Sequence, residues 1–442
     1  MLAVRAHDPF RLHRLAFVGS LLAMVSLGLG GPLYAQGGNP GDQLWATRLS
    51  SPGDQADQAF SLGTSPDGAV VFVTGRLAGQ SPDESDYGTA AYDATSGTQL
   101  WARRFDGGNA AAAYELAVSP DGAVVFVTGD ASNGYGTVAY NANSGATMWV
   151  KHFRGGDQAN DLALSPDGTM VFVTGWSARG DNYDYSTVAY DAGTGRQVWA
   201  QPYDSQMGND FESDLAVSPD GARVFVTGIS PEPLGDDDYA TVAYDAATGT
   251  QLWVGRMSVP HRDDLAQAVA VSPDGTRVFV TGYTEGGFVT VAYDAATGAQ
   301  QWARRDVRGL YAYALGVSPD GSRVFVAGTD GLRYLTVAYD AATGAPLWAN
   351  KDSTGEAASS LDVATDGATV YVTGRGSADG YATVAYDAGT GAQQWVSLYN
   401  GPGDNDWTSD LAISADGARV FVTGASTGLG ADFDYATVAY ET

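Results

Sequence analysis

One phrase is written again and again along this chain. "TVAYDAATGTQLW" (residues 241–253) has close copies throughout, and tryptophans fall at 45, 101, 149, 199, 253, 302, 348 and 395, 46 to 56 residues apart. Between successive tryptophans come an apolar run ending in a turn, as in "LAVSPDG" (215–221), then "RVFVTG" (223–228), then the opening phrase. A fixed period of this length marks a repeat architecture, in which one unit cannot bury its own apolar faces and must stack on its neighbours.

Each phrase reads as a β-strand, by its alternation and its content of Val, Phe, Tyr and Thr. Val224 and Val226 share one face, with Phe225 and Thr227 on the other, so both faces are apolar enough to be covered. The tryptophan segment supplies a fourth strand. After residue 35 no stretch keeps a 3.6-residue apolar period over three turns. The turns have their own chemistry. In Ser-Pro-Asp-Gly, at 65, 119, 165, 218, 272 and 318, proline presets φ and glycine takes the left-handed exit. A second glycine, at 97, 145, 195, 249, 298, 344 and 391, stands four residues before a tryptophan and lets an indole lie against bare backbone.

The expected fold is therefore all-β: an eight-bladed β-propeller of four-stranded antiparallel blades. Eight "TVAY"-type strands begin at Thr89, Thr137, Thr187, Thr241, Thr290, Thr336, Thr383 and Thr437, but the chain ends at Thr442, before an eighth trailing tryptophan strand. "DQLWATRLS", around Trp45, precedes any complete blade and can supply it. The N-terminal strand is thus predicted to join the last blade and close the ring, which removes an exposed sheet edge. The eight tryptophans are assigned to structure. A residue needed once for catalysis is not written eight times.

Residues 1–35 read differently. Arg5, Arg11 and Arg14 precede an apolar run from Leu15 to Leu29, with a small-residue exit at Ala35, the pattern of a secretory signal peptide. The run is short for a membrane span, so no transmembrane segment is expected in residues 36–442, which are read as one domain of a secreted or periplasmic bacterial protein. There is no cysteine, which excludes disulfides, thiol catalysis, cysteine-built zinc sites and a cysteine-linked lipid anchor. Residues 1–35 hold three Arg and one Asp, so the remainder carries 20 basic against 50 acidic side chains, a net charge of −30. Such a surface repels nucleic acid and attracts divalent cations and basic partners.

The pattern Ala243, Asp245, Thr248, Gly249, Trp253 resembles the tryptophan-docking motif of the quinoprotein dehydrogenases and their non-enzymatic relatives, the PQQ-like repeat proteins. Seven blades carry a copy. The resemblance implies an eight-bladed propeller. The dehydrogenases of that family hold pyrroloquinoline quinone and calcium over the propeller axis with an adjacent cysteine pair and with Glu, Asn and Asp in long insertions. This chain has neither the cysteines nor the insertions, so the quinone is not expected and no catalytic residue carries over. The resemblance implies the non-enzymatic branch: a scaffold that binds a protein or glycan of the cell envelope, as a monomer. A quinone-dependent or other propeller enzyme and a structural surface-layer component are the alternatives.

Geometry suggests where binding would occur. The Ser-Pro-Asp-Gly and Asp-Ala-Ala-Thr-Gly turns share one face of the ring, and the uneven loops, such as 76–88, 176–186 and 229–240, share the other. These loops are acidic, with Asp181, Asp184, Asp236, Asp237, Asp238, Asp404, Asp406, Asp432 and Asp434, a supply of oxygen ligands for calcium. A second acidic group, Glu115, Asp161, Asp214 and Asp410, sits just before the innermost strand of four blades and is predicted to converge on the channel mouth as a metal site. Blades five and six carry the basic and aromatic exceptions: His261, Arg262, Arg308, Tyr311, Tyr313, Arg333 and Tyr334. With Trp176 and Trp407 on other variable loops, Arg262, Arg308, the three tyrosines and Arg333 form the candidate ligand-binding set. His152 and His261 fall in different blades, which leaves little material for a histidine-based triad.

Overall fold

The alternating apolar phrases form strands and turns, and among the described residues there is no helix. The computed structural model describes residues 38–51, 56–79, 84–108, 110–132, 134–180, 182–231, 236–259, 263–403, 405–428 and 432–442. The segment 1–35 read as a signal peptide lies outside these residues, as do Asp181, His261, Arg262 and Asp404.

Among the described residues, thirty-two strands, numbered β1 to β32 in chain order, fall into eight four-stranded antiparallel sheets. Blade 1 runs outward from β2 (Gln58–Thr64) through β3 (Val70–Ala78) and β4 (Ser85–Asp93) to β5 (Gln99–Phe105). Blades 2 to 7 repeat this order and open with β6 (Ala112–Val118), β10 (Gln158–Leu164), β14 (Phe211–Val217), β18 (Asp264–Val271), β22 (Tyr311–Val317) and β26 (Gly355–Val363). Blade 8 takes β30 (Trp407–Ile413), β31 (Arg419–Thr427) and β32 (Phe433–Glu441) from the end of the chain. Its fourth strand, β1 (Gln43–Leu49), comes from the beginning, with Thr47 opposite Thr437. The opening strands of successive blades are neighbours and β30 returns against β2, so the eight sheets form a closed ring around an axis.

The seams between blades explain the repeated letters. Nε1 of each of Trp45, Trp101, Trp149, Trp199, Trp253, Trp302 and Trp348 donates to the carbonyl of Ala94, Ala142, Ala192, Ala246, Ala295, Ala341 and Ala388, one blade further on, at 2.8–3.1 Å. The ring then rests on the glycine of that next blade. At Gly298, where φ is +72°, a Cβ would stand 2.6 Å from Cδ2 of Trp253, so only glycine admits the indole. Burying each ring contributes roughly 1.5–3 kcal/mol. At the last seam Trp395 rests on Gly41, so the N-terminal segment provides both the closing strand and the last indole's seat.

A second stitch runs through tyrosine. The hydroxyls of Tyr87, Tyr135, Tyr185, Tyr239, Tyr334, Tyr381 and Tyr435 each donate to a backbone carbonyl of the following blade. Every innermost strand also carries a β-bulge; in β10, Ala159 and Asp161 face Gly175 and Thr174 with Asn160 extra. The bulge fixes where the channel-side carboxylates point.

Candidate interaction face and channel lining

An innermost strand has no sheet partner on its axial edge, so its backbone N–H groups need other acceptors. The four carboxylates predicted to gather on a metal serve this need instead. Asp161 accepts from the N–H of Leu162 at 2.7 Å and, across the seam, from Leu215 at 2.6 Å. Asp214 accepts from Leu215 at 2.9 Å and from Val269 of blade 5 at 2.7 Å. Asp410 accepts from Leu411, from the Ser360 hydroxyl and from Leu62 of blade 1. Glu115, one methylene longer, reaches back to the Ser61 hydroxyl at 2.6 Å and accepts its own Leu116 N–H. No three of these side chains bring carboxylate oxygens within 4.8 Å of one another. Each carboxylate lies along the strand edges, where it joins neighbouring blades, and Glu115, Asp161, Asp214 and Asp410 stay near enough to feel one another's charge.

Burial dominates their protonation. It pushes Glu115 up to about 8, assisted by the charge of Asp410, against the Ser61 and Leu116 hydrogen bonds. Asp161 is driven well above the usual carboxylate range, by burial first and then by Asp214 and Glu115. Burial raises Asp214 as well, while its hydrogen bond with Asp161 pulls it down, the arrangement of a protonated acid donating to its ionised neighbour.

The basic sector of blades 5 and 6 lies on the opposite face from the Asp-Gly turns, in the loops joining β21 (Gln300–Asp306) to β22 and β23 (Arg323–Thr329) to β24 (Tyr334–Asp340). Arg308 forks onto the Asp306 carboxylate, and Arg333 pairs with Asp330 at 3.1 Å, joined there by Lys351 at 3.0 Å. Both guanidiniums remain partly open to solvent. Tyr311 meets Tyr283 edge-on at 4.7 Å and lies 6.2 Å from Tyr313, each half-buried. Tyr334 does not belong to this surface. It is 0% exposed and is the blade 6 member of the interblade tyrosines, its hydroxyl held by Ala382 at 3.1 Å. Beside the arginines stand three residues the sequence reading passed over: Val307 (74% exposed), Leu332 (79%) and Leu310. Their signal was present, as apolar side chains at the tips of otherwise polar loops.

The two extra tryptophans are on strands rather than loops. Trp176 lies in β11 (Met170–Arg179) and packs on Tyr183 at 4.9 Å and Phe211 at 6.2 Å. Trp407 opens β30 and lies 4.4 Å from Phe433. Near the first of these clusters, one carboxylate oxygen from each of Asp184, Asp204 and Asp210 comes together within 4.8 Å, the sole such acidic group among the described residues. Asp184 belongs to the acidic loop residues that stand out in the sequence, whereas Asp204 and Asp210 lie outside that set.

Closed seams of this kind, eight times over, define an eight-bladed propeller of PQQ-like repeats. The family profile described as "Outer membrane protein assembly factor BamB" matches residues 11–161, 134–291 and 285–434, and the chain belongs to that family. No curated protein matches the sequence. Among solved structures, it is similar to BamB from Moraxella catarrhalis, with 15% identity over 91% of this chain and 99% of that one and a TM-score of 0.58. It is also similar to Sqt1 from Chaetomium thermophilum bound to the N-terminus of the ribosomal protein L10 (14%, 88% and 98%, 0.63). A third is the C-terminal WD40 domain of Sif2 (14%, 90% and 98%, 0.61). At these identities the likeness is one of fold.

Proposed function

We propose that this chain is an exported, non-catalytic scaffold of the cell envelope that binds a protein through its variable face, with the loops of blades 5 and 6 as the contact centre. The observation that carries the reading is the patch of Val307, Leu310 and Leu332, exposed beside Arg308 and Arg333 on a face whose other loops are rich in aspartate. Apolar loop tips contribute nothing to the blades when left in water. Ringed by arginine and tyrosine, they have the composition of an interface centre. The surrounding acidic loops would steer a partner with a basic rim. The family's description as an assembly factor and the Sqt1 complex with a ribosomal-protein segment support a protein as the occupant. The leader at 1–35 supports export.

The test is cross-linking in envelope preparations with wild type and with Val307→Asp/Leu332→Asp. A partner captured by wild type and lost by the variant, at unchanged melting temperature, is expected. Equal capture by both removes the patch from the interaction. Incubation with pyrroloquinoline quinone, calcium and a dye acceptor is expected to give no substrate-dependent dye reduction.

A further inference from the structure

We infer that Asp184, Asp204 and Asp210 form a site for a divalent cation of the calcium class at the junction of blades 3 and 4. The inference is independent of the interaction reading, which concerns blades 5 and 6.

Four other blades carry an aspartate at the position of Asp210; Asp264 of blade 5 accepts the Val259 N–H and also keeps a buried oxygen without a hydrogen-bond partner, while the other three share one bond. Asp57, Asp157 and Asp406 each stand immediately before an innermost strand. In each, a carboxylate oxygen accepts the N–H of the third residue past the glycine of the adjacent strand: Ala78 at 2.7 Å, Ala178, and Thr427 at 2.9 Å. In blade 4 that third residue, counted from Gly228, is Pro231, which has no N–H. Asp210 Oδ2 takes the Ser205 N–H at 2.8 Å, and Oδ1 is left buried without a hydrogen-bond partner. The Ser230 hydroxyl, which accepts from Arg256 at 2.6 Å, approaches this carboxylate with its own proton, as does the Ser205 hydroxyl, and neither reaches hydrogen-bond geometry with Oδ1. The rest of that guanidinium turns to the Tyr203 hydroxyl and the carbonyls of Ser230 and Pro231.

The neighbouring groups are hard oxygens. Asp204 uses Oδ1 to accept the Gln206 N–H at 2.6 Å, which leaves Oδ2 for a ligand. Ser177 lies directly across the β11–β12 pair from Asp184, and its buried hydroxyl also has no hydrogen-bond partner. Two buried oxygens without protein partners, Asp210 Oδ1 and Ser177 Oγ, stand beside the converging carboxylates, where a bound cation would take them up. Three carboxylates and a hydroxyl, with Asp204 exposed so that water completes the shell, suit the six to eight oxygen ligands of calcium better than the N and S donors other metals prefer.

The experiment uses the full mature chain, stripped with a chelator. Calorimetry with calcium chloride and terbium luminescence excited through Trp176 and Tyr183 should both report a saturable site. Asp204→Asn changes an exposed side chain and should weaken binding at least tenfold. Pro231→Ala restores an N–H for Asp210 Oδ1 and should weaken it several-fold, with the blade intact by circular dichroism. Absence of both calcium heat and sensitised terbium emission in wild type overturns the site, as does wild-type affinity in both variants.

Discussion

The two ends of each blade use carboxylates in opposite ways. At the Asp-Gly turns the aspartates are exposed and act within a few residues. Ser272 donates to Asp274 at 2.5 Å and accepts the Arg277 N–H at 2.9 Å, and the hydroxyl bonds and backbone amides pull Asp274 and Asp320 down to about 2. Along the channel the carboxylates are buried, raised in pKa and bonded across seams. A net charge of −28 therefore hides two populations, one holding single turns and one holding the ring together. Acidity alone does not locate a binding site.

Blade 8 contains both kinds and allows the sharpest contrast. Asp410→Ala would leave the N–H groups of Leu62 and Leu411 and the Ser360 hydroxyl without their acceptor. A loss of about 2–4 kcal/mol is expected, read as the shift of a denaturation midpoint. Asp416→Ala makes the same change of charge at the turn and should cost well under half as much. Equal losses would break the distinction between the two ends. Next in size is a residue on the turn side that carries no charge. Gly298→Ala forces a Cβ into the Trp253 indole at a left-handed backbone position, and about 2–3 kcal/mol should be lost. Tryptophan fluorescence should shift to the red in the same variant.

Whatever recurs eight times was legible in the chain: the strands, the Asp-Gly turns, the blade count and the closing strand around Trp45. Each is a local pattern repeated in register. What depended on register itself was not legible. Nothing in the spacing of Glu115, Asp161, Asp214 and Asp410 announces a bulge, so the backbone N–H groups that the three aspartates accept from across the seams could not be read from the chain. Tyr334 could have been placed correctly, since it stands two residues before Thr336 as Tyr87 stands before Thr89 and Tyr381 before Thr383. A short loop made it look like a surface residue. Asp210 needed one further comparison, of Pro231 with Ala78, Ala178 and Thr427, and that alignment has meaning only once the hydrogen bonds of those three are known.

Smaller is the serine that serves the turn. Ser414→Ala removes the acceptor of the Arg419 N–H and the donor to Asp416, both confined to one turn, and should cost about 1 kcal/mol without loosening any seam.

The two ends also separate by pH. Glu115 is raised from 4.5 to about 8, so between those values the folded chain holds a proton that the unfolded chain has released. Its contribution is fully present below about 4.5 and is lost as pH rises through 8. Asp362, raised by burial to about 6, acts in the same sense. Asp274 and Asp320 are lowered from 3.8 to about 2, so their contribution is present above 3.8 and is lost as pH falls through 2. The melting temperature measured with chelator present should therefore decline on both sides of a maximum near pH 4–5. Glu115→Gln should flatten only the alkaline side, because the amide carries no proton to release. If the acid side flattened as well, the channel and the turns would not be titrating independently, and the division between seam-holding and turn-holding carboxylates would fail.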